Sequence, residues 1–177
     1  PRTLRTMADS GIKVRSSLPF ECGNDHTLRD LIRKPHSLGN IKAVLSEVCT
    51  GGYLSHPNIE LDAFFMAGIV DHQDGRFISE THKSIADTFS LARRTAEKGI
   101  LVNVWWMKPN PGRPQYDLWR NKFPDKPFHE LQFLYPSGLW GTEEEEKRLD
   151  EEIKKINLET TRAGVGSKRP IYPVERD

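Results

Sequence analysis

Apolar residues recur at intervals of three and four along much of the chain, a spacing that predicts amphipathic helices. The clearest case is residues 58–103, where two apolar stripes are separated by a polar turn at Asp71–Gly75. The stripes are Leu61, Phe64, Phe65, Gly68 and Ile69 before the turn, and Ile85, Phe89, Ala92 and Ala96 after it. Gly99 lies where a helix is expected to end. The pattern predicts two helices packed against each other as an antiparallel hairpin.

Two shorter helices are predicted before this hairpin. The first spans residues 25–34 and ends at Pro35, because proline cannot continue a helix. The second is capped by Ser37 and ends at Gly51, a typical C-terminal residue.

Capping residues indicate two further helix starts. Ser79 or Thr81 is expected to cap the second helix of the hairpin. Thr142 and Glu145 form a capping box, which predicts a last helix over residues 142–160. Its apolar stripe is narrow, which favours docking on a surface over central burial; the stripe is Leu149, Ile153 and Ile156.

Residues 100–141 have a different character and contain all four Trp of the chain. Residues 100–107 fit either a strand or one more short buried helix.

Residues 108–141, called the strap below, are rich in Pro and aromatic residues. Disordered segments are poor in aromatics, so the strap is expected to be ordered against its own domain or a partner. Aromatic residues are enriched at protein interfaces. The predicted partner-binding residues are Trp119, Phe123, Phe128, Phe133, Tyr135 and Trp140.

These patterns together predict a mainly α fold of antiparallel, repeat-like helical hairpins with an extended strap and a C-terminal helix. The predicted organisation is an extended N-terminal arm over residues 1–24, a helical hairpin domain over 25–107, the strap over 108–141, the C-terminal helix over 142–160 and a flexible tail over 161–177.

Composition narrows the class of protein. A chain of 177 residues with 36% hydrophobic content suits one domain with a core. Lys and Arg number 26 against 25 acids, a balance that argues weakly against a nucleic acid as the main partner. No stretch is apolar enough for a membrane span. Cys22 and Cys49 are expected as reduced thiols, with a single bridge between them as the alternative.

No spacing in the sequence is typical of a catalytic or metal site. The Asp71–Gly75 turn resembles a calcium loop, but Val70 and His72 stand where oxygen ligands are needed. His72 and His82 could approach each other, but no third and fourth ligand for zinc is evident. Nucleophile elbows and phosphate-binding loops are absent. We therefore predict a protein that is not an enzyme and has no cofactor, metal or small-molecule substrate. An active site assembled from dispersed residues stays the open alternative.

Residues 58–103 resemble a degenerate pentatricopeptide-type repeat. The resemblance rests on the first run, NIELDAFFMAGIV, and on the second ending, ARRTAEKGILVN, which closes with Gly99, an apolar residue and Asn103. It implies a hairpin of two helices. In that family tandem repeats bind RNA one base at a time, and Asn103 is the one weak candidate for such a contact.

The N-terminal residues carry Arg2, Arg5, Lys13 and Arg15 against the single acid Asp9, as at the edge of a mitochondrial transit peptide or in a basic cytosolic tail. In type, the chain resembles pentatricopeptide-like accessory subunits on the F1 head of euglenozoan mitochondrial ATP synthase. We therefore expect a non-catalytic accessory subunit of a larger assembly in the mitochondrial matrix, with protein subunits as its partners. The alternative is an organellar RNA-binding or mitoribosomal protein.

Overall fold

The computed structural model describes residues 2–107, 112, 114–127 and 140–162. It has a mixed α/β fold, so the prediction of a mainly α fold of helical hairpins is wrong. The helices are α1 (Arg2–Asp9), α2 (Leu38–Thr50), α3 (His82–Glu97), α4 (Pro114–Lys122) and α5 (Glu143–Arg162), and a π-helical turn spans Thr27–Leu31. The strands are β1 (Val14–Glu21), β2 (Ile59–Ala67), β3 (Val70–Gln73), β4 (Arg76–Ser79) and β5 (Leu101–Trp106).

A parallel three-stranded sheet in the order β1-β2-β5 forms the centre of the fold. Helix α2 connects β1 to β2, and helix α3 leads from the β3–β4 hairpin into β5. Because such crossovers are almost always right-handed, both helices belong on one face of the sheet. In agreement, α2 and α3 line a common cleft. Helix α5 packs against both β5 and α3.

Strand β2 replaces the first helix of the predicted hairpin. It is the central strand, and six of its nine residues are buried: Ile59, Leu61, Asp62, Ala63, Phe65 and Ala67. A parallel strand covered on both faces is apolar almost continuously, and in a short run this pattern also matches helical spacing. The helical hairpin implied by the resemblance is therefore replaced by a strand, a β-hairpin and a single helix.

The polar Asp71–Gly75 segment does form a turn, but between two strands. Gln73 pairs with Arg76 across a two-residue loop of Asp74 and Gly75. Both loop residues have positive φ, 49° and 76°, as a tight β-hairpin of this Asp-Gly type requires. This geometry explains why the segment holds no calcium-type loop.

The predicted N-terminal arm also contains regular structure, namely α1 and β1. Strand β1 is at an edge of the sheet, and its ladder with β2 is irregular between Pro19 and Glu21. Proline lacks the N–H that a ladder needs, which is why it is found on edge strands and at bulges. Pro19 is thus accommodated in an edge strand.

Several local predictions are confirmed. Ser37 caps α2 and Thr81 caps α3. Each side chain accepts a hydrogen bond from the backbone N–H of the residue three positions later in the chain. Thr142 and Glu145 exchange the two hydrogen bonds of a capping box at the start of α5. For residues 100–107, where a strand and a short helix were both left open, the structure has the strand Leu101–Trp106. Among the described residues, no helix has the length and apolar character needed to cross a bilayer.

Candidate functional site

In parallel α/β sheets, ligands usually bind at the carboxyl ends of the strands. Here that edge lies where β1 leads into Cys22, β2 into Gly68 and β5 into Met107. Gly68 has φ +73°, and a Cβ there would lie 2.6 Å from the indole of Trp106. The backbone at the end of the central strand is therefore already covered by an aromatic ring.

Glu80 is the central polar residue of this edge. It is only 3% exposed, and its carboxylate accepts the backbone N–H of Ile69 at 3.2 Å and the hydroxyl of Ser84 at 2.8 Å. The backbone N–H of Gly68 is a further donor. Burial raises the pKa of Glu80 to about 7, although these three hydrogen bonds favour the charged form. Glu80 thus connects the start of α3 to the end of the central strand.

Three hydroxyl side chains extend this network into the fold. Because the Ser84 hydroxyl donates to Glu80, it accepts from Thr27 Oγ1 at 2.6 Å. Thr88 donates to the Ser84 carbonyl at 3.0 Å and accepts the Gly23 N–H at 2.9 Å. Ser84 is buried, and the chain of bonds joins α3 to the turn after β1.

The thiol of Cys22 borders the same network and is fully buried. Burial raises the pKa of Cys22 to about 12, with the nearby Glu80 and Glu21 carboxylates adding to the effect. The thiolate is the reactive form of cysteine, so Cys22 is inert at neutral pH. Both cysteines are free, which agrees with the expectation of reduced thiols.

Trp140, predicted to contact a partner, packs against its own chain beside the carboxyl end of β5. Its Nε1–H donates to the Glu80 carbonyl at 2.7 Å, and its backbone N–H donates to the buried Glu146 carboxylate at 2.9 Å. The indole packs edge-on against His82 and Trp106, with ring centroids 4.8 and 5.8 Å away. Trp140 is 8% exposed, so its side chain packs within its own chain.

The other predicted partner-binding residues have separate positions. Trp119 lies in α4 and is fully buried, with its ring centroid 5.9 Å from that of Phe123. Phe123 is half-buried, and the ammonium groups of Lys122 and Lys126 lie 5.7 and 4.6 Å from its ring centroid. The remaining three, Phe128, Phe133 and Tyr135, lie outside the described residues.

Two adjoining clefts follow the paired helices α2 and α3. The first, of about 430 Å³, lies beside the turn after β1 and the starts of both helices. The second, also of about 430 Å³, lies between their C-terminal halves. Arg94 lines both clefts, so we refer to them together as the α2–α3 groove. Groups of three or more His, Cys, Asp or Glu arranged to hold a metal do not occur among the described residues.

Sequence reasoning missed Glu80 and the α2–α3 groove for different reasons. Glu80 stands one residue before a helix cap, where an acid usually is solvent-exposed and favoured by the helix dipole. The groove depends on α2 and α3 lying side by side, which follows only from the strand order. A comparison with models of protein families and with curated protein sequences found no match for this chain.

Proposed function

We propose that this chain is a non-catalytic accessory subunit that binds protein partners within a larger assembly. The observation that carries this proposal is that Glu80 occupies the carboxyl end of β2 and that Trp140 lies beside Trp106 at the carboxyl end of β5. A parallel α/β protein that acts on a small molecule needs an open crevice there. Here an indole covers the end of β5, and a carboxylate binds the backbone N–H groups at the end of β2 that could otherwise hold a ligand; the end of β1 borders the first cleft of the α2–α3 groove.

The reactive side chains nearby support the same proposal. The Cys22 thiol and the Ser84 hydroxyl are both buried, and the Ser84 hydroxyl donates a hydrogen bond to Glu80 and accepts one from Thr27. Meanwhile Phe77 and Trp105 are large apolar side chains that are 56% and 41% exposed. Exposed aromatics of this kind are typical anchors for protein partners.

The mitochondrial matrix is the location that we propose, on the basis of the basic N-terminal composition. The F1 head of ATP synthase was suggested by the helical resemblance, and the sheet removes the structural basis for that choice. The experiment therefore has to identify the partner proteins without assuming that they belong to ATP synthase.

The test is affinity purification of the tagged full chain from its native source at moderate salt, with nuclease, followed by mass spectrometry. We expect a defined set of proteins in fixed stoichiometry that survives nuclease treatment. Recovery of the chain alone, as a monomer by size-exclusion chromatography of the native extract, would contradict the proposal.

RNA binding is the second candidate, because Lys122 and Lys126 flank the half-buried ring of Phe123. An aromatic ring beside cations is the usual platform for stacking a nucleic-acid base. This candidate requires partners that are lost with nuclease and an RNA affinity that falls steeply with salt.

A further inference from the structure

We propose that the α2–α3 groove binds an acidic amphipathic helix of a partner protein. This inference rests on the proposed function, since it assigns a surface and a chemistry to the protein partner. It depends on the shape of the groove, on its charge and on the ion pairs of the surrounding helices.

The shape of the groove fits an elongated occupant. The two clefts adjoin at Arg94, and together they follow α3 from Asp87 to Lys98. The facing helix α2 has 13 residues, so the groove is about 20 Å long at 1.5 Å per residue. A helix of three to four turns laid between two helices has this length, and helix-in-groove binding is a common mode of protein recognition.

The charge of the second cleft is positive. Lys42, Arg94 and Lys98 line it, and no acidic side chain does. All three cations are exposed, and none forms an ion pair with any residue that the structure describes. Between them lie the apolar side chains of Leu45 and Leu91 and the half-buried Cys49. A ligand for this cleft therefore needs acids beside a narrow apolar strip.

On the side of α3 that packs against α5, an arginine has acidic partners within the same chain. Arg93 points toward α5 and forms an ion pair with Glu152, and its guanidinium is 4.0 Å from Glu159. Arg94, one residue later, lines the groove, and its Nε donates to the Ser90 carbonyl of its own helix. An acidic helix already packs against one side of α3, and the side that lines the groove, about 100° further round the helix, carries the matching positive charge.

The first cleft indicates which way round the partner helix lies in the groove. Its acids are already bonded: Asp25 accepts the Leu38 N–H at 2.6 Å, and Asp87 accepts from Asn24 and Lys83 at 3.1 Å each. The cations that could bind acidic groups of a partner therefore lie at the Lys42–Lys98 end of the groove. We infer that the acidic residues of the partner helix cluster toward that end.

The test uses the purified full chain and a synthetic, staple-stabilised helical peptide of about 15 residues, matching the length of the groove. The peptide carries leucines on one face and glutamates along its flanks, and the control peptide has glutamine at every glutamate. Binding is followed by fluorescence anisotropy of the labelled peptide. A second readout is the rate at which a thiol reagent modifies Cys49, which an occupant of the groove should slow.

We expect the acidic peptide to bind with a dissociation constant on the order of micromolar and to protect Cys49, while the glutamine peptide does neither. The double variant Lys42→Glu/Lys98→Glu should weaken binding by about tenfold or more, since two attractive pairs become repulsive. Arg76→Glu/Lys13→Glu is the matched control, because it makes the same charge change at exposed positions outside the groove. Melting temperatures should be unchanged in both variants.

Three outcomes would overturn the inference: no binding of the acidic peptide, equal binding by the groove variant, or Cys49 protection by dodecanoate or an oligonucleotide but not by the peptide. The proposed function is judged separately, by affinity purification. If the wild-type chain and the groove variant recover the same proteins, the groove inference fails and the accessory-subunit proposal stands. If the wild-type chain recovers nothing, the accessory-subunit proposal itself fails.

Discussion

The side-chain amide of Asn157 forms two hydrogen bonds with the backbone of Val104. Its Oδ1 accepts the Val104 N–H at 2.8 Å, and its Nδ2 donates to the Val104 carbonyl at 2.9 Å. A residue of α5 thereby occupies the place of a neighbouring strand at the edge of β5. Thr160 adds a hydrogen bond to the Val102 carbonyl at 3.2 Å. Because an open strand edge invites pairing with other chains, α5 protects this side of the sheet.

Replacing Asn157 by alanine should destabilise the fold by about 2–3 kcal/mol, because two hydrogen bonds are lost and a strand edge is left partly unpaired. Urea unfolding followed by circular dichroism measures the change. Leu158→Ala is the control, since Leu158 is the adjacent residue of α5 and is 51% exposed. Equal effects of the two substitutions would show that the amide does not stabilise the edge.

Glu80 should make the stability of the protein depend on pH. Its folded-state pKa of about 7 lies above the ordinary value of 4.5. The folded state therefore binds the proton more tightly, and the stability associated with protonated Glu80 is complete below pH 4.5 and is lost as pH rises through about 7. A shift of this size corresponds to a loss on the order of 3 kcal/mol across the window.

The substitution Glu80→Gln tests this dependence. Glutamine keeps an acceptor for the Ile69 N–H and has no charge to bury, so the fall in unfolding free energy between about pH 4.5 and 7 should be smaller than in the wild-type protein. The measurement is a series of urea titrations across that range. Glu97→Gln, at an exposed position of α3, should leave the wild-type slope intact. An unchanged slope in Glu80→Gln would refute the assignment.

Gly23 and Gly39 should respond in opposite directions to alanine. A Cβ at Gly23 would lie 2.5 Å from the Asp87 carbonyl oxygen and 2.8 Å from the Thr88 Cα, both backbone atoms of α3. Gly23→Ala should therefore destabilise by about 1–3 kcal/mol through overpacking. Gly39 lies inside α2 with its nearest neighbour at 3.4 Å, so Gly39→Ala should stabilise by about 0.5–1 kcal/mol.

Thermal unfolding of the two alanine variants distinguishes these effects. The melting temperature should fall for Gly23→Ala and rise for Gly39→Ala. An unchanged or higher melting temperature for Gly23→Ala would mean that the turn after β1 is not held against α3 as closely as described.

Local signals in this sequence were reliable where a few neighbouring residues determine the structure. Ser37, Thr142 and Glu145 make the predicted caps because a cap needs only the first turn of its own helix. Gly75 makes a tight turn for the same local reason. These residues fixed the starts of α2 and α5 and the position of the hairpin loop, whatever surrounds them.

The tertiary arrangement could not be predicted from the same signals. Residues 59–67 have apolar spacing that suits a helix, and only pairing with β1 and β5 on both sides makes a buried strand favourable. Trp140 was expected at a partner surface because it is one of the aromatic residues of the strap, and aromatics are enriched at protein interfaces. It is buried because the carboxyl edge of the sheet, which periodicity alone does not reveal, offers the carbonyl of Glu80.

Substitutions of Trp119 and Phe123 should affect different properties, the first the stability of the fold and the second the binding of partners. Trp119 is fully buried, so Trp119→Ala should destabilise by about 3–5 kcal/mol. Phe123 is half-buried beside two lysines, so Phe123→Ala should change stability by less than about 1 kcal/mol while weakening capture of the proteins that the wild-type chain recovers. Chemical denaturation and quantitative affinity purification measure the two effects. Loss of stability equal to that of Trp119→Ala would place Phe123 in the core.

The two thiols should differ in reactivity, which also makes Cys49 a reporter for the groove. Cys22 has no exposed surface and a pKa of about 12, whereas Cys49 is half-buried and lines the groove. Because reaction requires access and thiolate, one thiol per chain should react with Ellman's reagent under native conditions and both in urea. Cys49→Ser should abolish the native reaction, and Cys22→Ser should leave its rate unchanged. A native reaction that persists in Cys49→Ser would mean that the turn after β1 opens in solution and exposes Cys22.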